Sequence, residues 1–302
     1  ALDQGGHLSH GSPVSFSGKI YHFEPYFVDE TTGVLDMDSV RERALEFRPR
    51  MIVAGYSSYP RILDFPAFAE IAREVDAYLM VDMAHFAGLV AGGAHPSPVP
   101  HADFVTFTTH KTMRGPWGGA ILCGAEHADQ IDKAVCPNVQ GGPQMHAIAA
   151  KAVMFKQCAQ PEFREYAQAV VTNAKAMAAG LMRRGLELTT GGTDNHLMVI
   201  DIRPTGLRGR QVQAGFDEVG VTVNANAFPG HGGTPYNPNG IRLGSPSVTS
   251  RGMGEPEMDE IAGLVARMLG GFDGPAVRAE VQEGSRALCR RFPLPYRGAS
   301  TA

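Results

Sequence analysis

Short apolar runs alternate with segments of helical spacing along the first half of the chain. The runs at residues 50–54, 78–81 and 104–108 have the length and composition of buried strands, and residues 65–75 between the first two repeat apolar positions as a helix does. Residues 26–34 predict a strand and turn, and residues 36–46 and 125–134 predict helices. This order predicts an α/β fold with a mostly parallel central sheet flanked by helices.

The second half of the chain has a different pattern. Residues 144–157 and 161–185 predict two long helices with apolar stripes. Beyond them we expect strands at residues 186–190, 197–202 and 222–223, helices at 209–219 and 255–269, and a loop up to residue 239. We therefore predict a large domain at residues 1–160 and a smaller α+β domain at residues 161–302.

Composition narrows the class of protein. The 302 residues are 43% hydrophobic and 19% charged with a net charge of −4, and no basic run predicts binding to nucleic acid or to a membrane surface. No apolar stretch has the length of a membrane span. The four cysteines are widely separated without CxxC spacing, which argues against a zinc site and favours a reducing compartment, so we predict a cytoplasmic protein without a metal.

Two of the predicted strands end in groups that can carry chemistry. Asp82 ends the run 78–81, and Lys111 follows the run 104–108 after His110. Ligands bind at the carboxyl ends of strands in open α/β sheets. Pyridoxal phosphate (PLP) requires a lysine that forms a Schiff base and a carboxylate that keeps the pyridine nitrogen protonated, and His85 is spaced to lie near the ring. The ordinary alternative is a salt bridge with two surface histidines.

The sequence around these residues resembles a known family. VDMAHFAGLVA (81–91) and TFTTHKTMRGPWGG (106–119) are similar to serine hydroxymethyltransferase, a fold-type I PLP enzyme. Five further segments that resemble the family are GGHLSHGSPVSFSGK (5–19), AGYSSYPRILDF (54–65), VQGGPQMHAIAAKAV (139–153), GGTDNHLMVIDIR (191–203) and NGIRLGSPSVTSRG (239–252). The resemblance covers nearly the whole chain.

The resemblance implies a cofactor site shared between two subunits. It implies that Lys111 binds PLP, that His7 stacks on the pyridine ring, and that Ser57 lies near cofactor and folate. It also implies that Gly141 and Gly142 reach the cofactor phosphate of the neighbouring subunit, in a homodimer or a tetramer. From the residues alone, His7 could be a loop residue, Ser57 a turn former and the glycine pair a turn.

The resemblance also implies the substrates. Arg242 in GIRLG would bind the α-carboxylate of an amino acid, although an isolated arginine is more often a surface residue. Asn226 would contact the pterin of tetrahydrofolate, the co-substrate, and Leu2 and Gly6 would contribute to substrate binding. Thr108 and His110 would adjust proton transfer beside the cofactor. The implied reaction converts serine and tetrahydrofolate into glycine and 5,10-methylenetetrahydrofolate.

Several positions depart from the family pattern. Trp117 stands where arginine is usual, Ala225 where a basic residue is usual, and residues 230–239 differ from the common loop, including Asn239 before GIR. The family pattern also has about a hundred residues before the equivalent of Ala1, with the phosphate loop and a catalytic tyrosine and glutamate. Alternatives therefore stay open: a 2-methylserine hydroxymethyltransferase, a threonine-type aldolase, or a catalytically silent protein of the same fold.

Overall fold

A computed structural model describes residues 1–228 and 237–295 of the chain. The first sheet has the order β1-β2-β3-β4, with β1 to β3 parallel and β4 antiparallel to β3. Its strands are β1 (Met51–Gly55), β2 (Tyr78–Asp82), β3 (Phe104–Thr108) and β4 (Gly119–Cys123). The mostly parallel sheet predicted from the apolar runs is therefore confirmed.

Six α-helices accompany this sheet in the first half of the chain: α1 (Phe16–Ile20), α2 (Met37–Phe47), α3 (Phe65–Glu74), α4 (Ala87–Ala91), α5 (Ala125–Lys133) and α6 (Met145–Cys158). The starts of α2 and α3 follow from their sequences. Asp36 and Asp64 precede these helices, and their carboxylates accept hydrogen bonds from backbone N–H groups of the first turn, at 3.1 and 3.0 Å. Such caps satisfy donors that a helix end leaves without a partner.

The second half builds a separate antiparallel sheet in the order β5-β6-β8-β7. Its strands are β5 (Glu187–Leu188), β6 (Leu197–Asp201), β7 (Asn224–Asn226) and β8 (Gly240–Gly244). The helices are α7 (Pro161–Arg183), α8 (Gly209–Glu218), α9 (Pro246–Ser250), α10 (Glu255–Gly270) and α11 (Pro275–Arg291). None of the helices in the described ranges is long and apolar enough to cross a membrane.

Two hydrophobic clusters form the core, and α7 contributes to both. Phe65, Phe68 and Phe86 are almost fully buried in the first cluster, and Met198 and Phe216 in the second. Burial of such side chains is the main favourable term in folding. Residues 163–171 of α7 pack in the first cluster and residues 174–181 in the second. The domain boundary between residues 160 and 161 stays a prediction.

Three of the predicted strands need correction. Residues 26–34 form no strand but only an isolated bridge between Val28 and Leu35, because the Asp29 carboxylate accepts hydrogen bonds from Thr31 and Thr32 and closes a turn. The strand expected at residues 222–223 lies at Asn224–Asn226, and the one expected at 186–190 shortens to Glu187–Leu188. The sequence interpretation also missed β8, which two neighbouring strands hold in the sheet.

Candidate active site

The carboxyl ends of β2 and β3 lie together, as the parallel register requires. Asp82 pairs with Thr106, so the loops that follow the two strands leave the same edge of the sheet. The Thr112 hydroxyl joins these loops: it donates to the backbone oxygen of His85 at 3.1 Å and accepts from the backbone N–H of Gly88 at 3.0 Å. This link fixes the segment containing Lys111 against the segment containing Asp82.

The Asp82 carboxylate is held from both sides. Its Oδ2 lies 2.9 Å from Nε2 of His10, and its Oδ1 accepts a hydrogen bond from the backbone N–H of Ala84 at 3.0 Å. Burial alone would raise the pKa of Asp82, but the hydrogen bond and charge of His10, with smaller contributions from Ala84 and His7, lower it below the ordinary value. Asp82 is therefore ionised at neutral pH.

His10 is a site residue that sequence reasoning missed. The sequence analysis gave a role only to His7, whose ring lies edge-on to that of His10 with centroids 5.7 Å apart. The Nδ1 of His7 is 2.7 Å from the Ser9 hydroxyl, and burial lowers the pKa of His7. The repeated histidine in GGHLSHG makes both His7 and His10 visible as candidates, but spacing does not show which of them contacts Asp82.

Lys111 lies close enough to Asp82 and Arg242 for both charges to affect it. Burial lowers the pKa of Lys111 from its ordinary value; the charge of Asp82 opposes that change, and the charge of Arg242 adds to it. A lowered pKa increases the fraction of the amine that is neutral and nucleophilic at a given pH. The structure thus brings the predicted lysine, carboxylate and arginine into one electrostatic group.

Arg242 reaches this group from β8. Its Nη1 donates to the backbone oxygen of Ser57 at 2.7 Å, and the backbone N–H of Ser57 donates to the oxygen of Gly5 at 2.8 Å. Burial lowers the pKa of Arg242, although arginine stays charged at neutral pH. The Ser57 hydroxyl is buried and has no hydrogen-bond partner among the described residues.

Two neutral histidines lie beside Lys111 and Arg242. Burial, then the charges of Lys111 and Arg242, lower the pKa of His85 to about 2, and burial with Arg242 lowers that of His196 to about 3. The two rings are stacked, with centroids 6.1 Å apart and planes 25° apart. His196 was not selected in the sequence analysis, because nothing in its local pattern distinguishes it from a core histidine.

Trp117 stacks on the residue before Lys111. Its ring and that of His110 have centroids 4.0 Å apart and planes 12° apart, while Trp117 remains 82% exposed. The Nδ1 of His110 is buried without a partner in the described part of the chain.

The Thr109 hydroxyl donates to the oxygen of Pro116 at 2.6 Å and closes the loop that contains Lys111. The Thr108 hydroxyl donates to the oxygen of Ala84 at 3.3 Å.

The remaining predicted residues lie beside or outside the group formed by Asp82, Lys111 and Arg242. Asn226 donates to the Ser58 hydroxyl at 3.1 Å, so it adjoins the loop that Arg242 contacts. Leu2 is exposed, and Gly6 donates its N–H to the oxygen of Ala1. Gly141 and Gly142 are exposed, and a Cβ added to either would meet no atom within 4 Å.

The residues that depart from the family pattern lie partly outside the described ranges. Residues 230–236 of the unusual loop are not described. Asn239 is buried, with both side-chain amide atoms lacking hydrogen-bond partners among the described residues. The backbone N–H of Ala225 donates to Oε1 of Gln213 at 2.8 Å.

The side chains at the candidate site fit PLP. An amine of lowered pKa and an ionised carboxylate lie at one sheet edge, and the Ser57 hydroxyl and His110 Nδ1 are buried without protein partners in the described residues. Buried polar atoms are normally hydrogen-bonded, so these two are candidates for contact with a bound group. Within residues 1–228 and 237–295, no three His, Cys, Asp or Glu side chains are grouped to hold a metal ion.

The fold and site together define the class. A mixed, mostly parallel sheet flanked by helices, with a lysine and an aspartate at its edge, is the fold-type I architecture of PLP-dependent enzymes. The model of the serine hydroxymethyltransferase family matches residues 1–265. The chain therefore belongs to the serine hydroxymethyltransferase family, a PLP-dependent family of one-carbon metabolism, which confirms the resemblance and the predicted fold.

Proposed function

We propose that the protein is a serine hydroxymethyltransferase that converts serine and tetrahydrofolate into glycine, 5,10-methylenetetrahydrofolate and water, reversibly. The observation that carries this proposal is the grouping of Asp82 at the end of β2, Lys111 after β3 and Arg242 from β8. The reaction needs an amine for the cofactor, a carboxylate for the pyridine nitrogen and a cation for the amino-acid carboxylate, and these residues supply all three.

Each of these side chains has a definite task. PLP bound through Lys111 would supply the electron sink that weakens the bonds to Cα of the amino acid. Asp82 holds a proton on the pyridine nitrogen, and the hydrogen bonds from His10 and Ala84 keep its carboxylate ionised and oriented. Arg242 binds the α-carboxylate with the part of its guanidinium group that does not contact Ser57.

Neutral groups complete the proposed site. His85 has a pKa far below neutrality, so it offers hydrogen bonds without adding positive charge beside Lys111. We assign Thr108 and His110 to proton transfer near the cofactor, and His7 to stacking on the pyridine ring. Asn226, which contacts Ser58, is our candidate for the pterin of tetrahydrofolate, and we assign Leu2 and Gly6 to substrate binding.

We also propose a homodimer in a reducing compartment, the cytoplasm. Gly141 and Gly142 are exposed with open space around them, which suits the role of reaching a phosphate in a neighbouring subunit. All four cysteines are free, which supports a reducing compartment. Sedimentation velocity tests the dimer, and a purely monomeric protein would remove the shared site.

A second candidate is a relative that acts on an α-methylated or β-hydroxy amino acid. It is favoured by Trp117, a neutral flat ring stacked on His110 where the family pattern has a cation. Rates with serine, 2-methylserine and allo-threonine, each with and without tetrahydrofolate, separate the candidates. Folate-dependent turnover of serine supports the transferase, and folate-independent cleavage of allo-threonine alone supports an aldolase. Absence of both turnover and a cofactor absorbance band would support a silent protein.

A further inference from the structure

His196 contacts the candidate site through a ring that no assigned role explains. Its imidazole faces that of His85 at 6.1 Å and 25°, within the range of favourable aromatic pairs. His196 is only 6% exposed, and its Nδ1 is buried without a partner among the described residues. An unpaired buried polar atom is destabilising, so the residue is not explained by the needs of the core alone.

The backbone on either side of His196 is held rigidly. The oxygen of His196 accepts a hydrogen bond from Ser245 at 3.0 Å, which extends the pairing of β6 and β8. The Asn195 side chain donates to the Tyr56 hydroxyl and to the oxygen of Tyr59, both at 3.0 Å, and accepts from the N–H of Leu197. The ring of His196 therefore projects from a fixed point.

His85, in contrast, is fixed only through its backbone. The Thr112 hydroxyl binds its carbonyl oxygen, but its imidazole makes no hydrogen bond within the described parts of the chain. The only ring contact of His85 in those parts is with His196. The orientation of the His85 ring beside Lys111 therefore depends on a flat surface supplied by the other half of the chain.

We propose that His196 is a positioning residue, whose ring holds the His85 imidazole in the orientation that the cofactor site requires. This inference goes beyond the proposed reaction, and its structural part can be tested without the cofactor. For this positioning role, the flat shape of the side chain at position 196 is what matters. Phenylalanine at position 196 should therefore preserve the orientation of the His85 ring, whereas an apolar side chain of similar size without a ring should not.

The first measurement uses the cofactor-free protein with labelled histidine. NMR signals of the His85 imidazole, assigned by their loss in His85→Asn, are followed from pH 5 to 8. The groups that surround the His85 ring electrostatically are Lys111, Arg242, His196 and His7. Because the pKa of His85 is about 2, its signals should not change with pH in the natural protein or in His196→Phe. In His196→Leu the signals should be shifted and broadened relative to those of the natural protein.

The second measurement is the affinity for PLP, read from quenching of Trp117, the only tryptophan in the chain. The loss of one aromatic contact predicts an affinity about two- to tenfold weaker in His196→Leu and unchanged in His196→Phe. His127→Leu is the control, because the His127 ring packs edge-on against Tyr78 at the start of β2, with centroids 5.4 Å apart, without contacting His85. It should leave the His85 signals unchanged.

The outcomes separate the two proposals. Equal His85 signals in the leucine and phenylalanine variants, whether normal or perturbed, would overturn the positioning role. If the leucine variant does not fold, His196→Met supplies the non-planar side chain for the same comparison. Failure of every variant and of the natural protein to bind PLP would refute the proposed function, while the NMR comparison would still decide the role of His196.

Discussion

Arg242 offers the sharpest test of substrate binding, because a single side chain links substrate charge to the geometry of the site. It lies on β8 between β6 and β7, paired with Val199 and Asn224. Its Nη1 also donates to the oxygen of Ser57 at 2.7 Å. Arg242→Ala removes the cation and leaves this partly buried carbonyl without its donor.

The two losses have different sizes and different consequences. A charge-assisted contact with a carboxylate contributes about 2–4 kcal/mol, so amino-acid affinity should fall by about 30- to 1000-fold. The lost hydrogen bond to Ser57 should lower the free energy of unfolding by about 1.5–3 kcal/mol. PLP affinity should change much less, because Lys111 and Asp82 remain in place.

The assay is a titration of the PLP-loaded protein with serine and with glycine, followed by its absorbance, together with urea unfolding. Arg242→Lys keeps the charge but not the planar fork, and should give an intermediate affinity. Arg203→Ala is a control at an arginine that binds Asp201 instead. Amino-acid affinity that is unchanged in Arg242→Ala would refute the reasoning and leave Arg242 a purely structural role.

Three further predictions concern Asp82 and Trp117. Asp82→Asn should retain the fold but lose most turnover, since an amide cannot hold the pyridinium proton; a near-normal rate would remove Asp82 from the mechanism. Because the folded-state pKa of Asp82 is lowered, its contribution to stability is present above its unfolded pKa and is lost as pH falls through the folded value. The free energy of unfolding of Asp82→Asn should therefore depend less on pH in the acid range than that of the natural protein. The same acid dependence in both proteins would contradict the His10–Asp82 contact. Trp117→Arg should move the ratio of kcat/KM toward serine and away from 2-methylserine, whereas an unchanged ratio would show that Trp117 does not set specificity.

The sequence identified those parts of the site that local patterns determine. Asp82 and Lys111 could be placed because each follows an apolar run of strand length, and parallel strands bring such ends together. Strand β8 could not, because GIRLG has two glycines and an arginine in five residues and becomes a strand through pairing with β6 and β7. Strand formation depends strongly on neighbouring strands.

Contacts between distant segments were also beyond sequence reasoning. Spacing alone does not show that His10, and not His7, reaches the Asp82 carboxylate. The stacking of His196 on His85 joins the segment before β6 to the loop after β2, which no local pattern records. The Thr112 hydroxyl likewise joins two loops that are separated in sequence.

The central claim is that Lys111 holds PLP at the edge of the first sheet. Loading the protein with PLP, reducing it with borohydride and mapping the peptides by mass spectrometry tests this claim directly. The account predicts a pyridoxyl group on Lys111, and no such label on that peptide in Lys111→Ala. A label mainly on another lysine, or none on the natural protein, would contradict it.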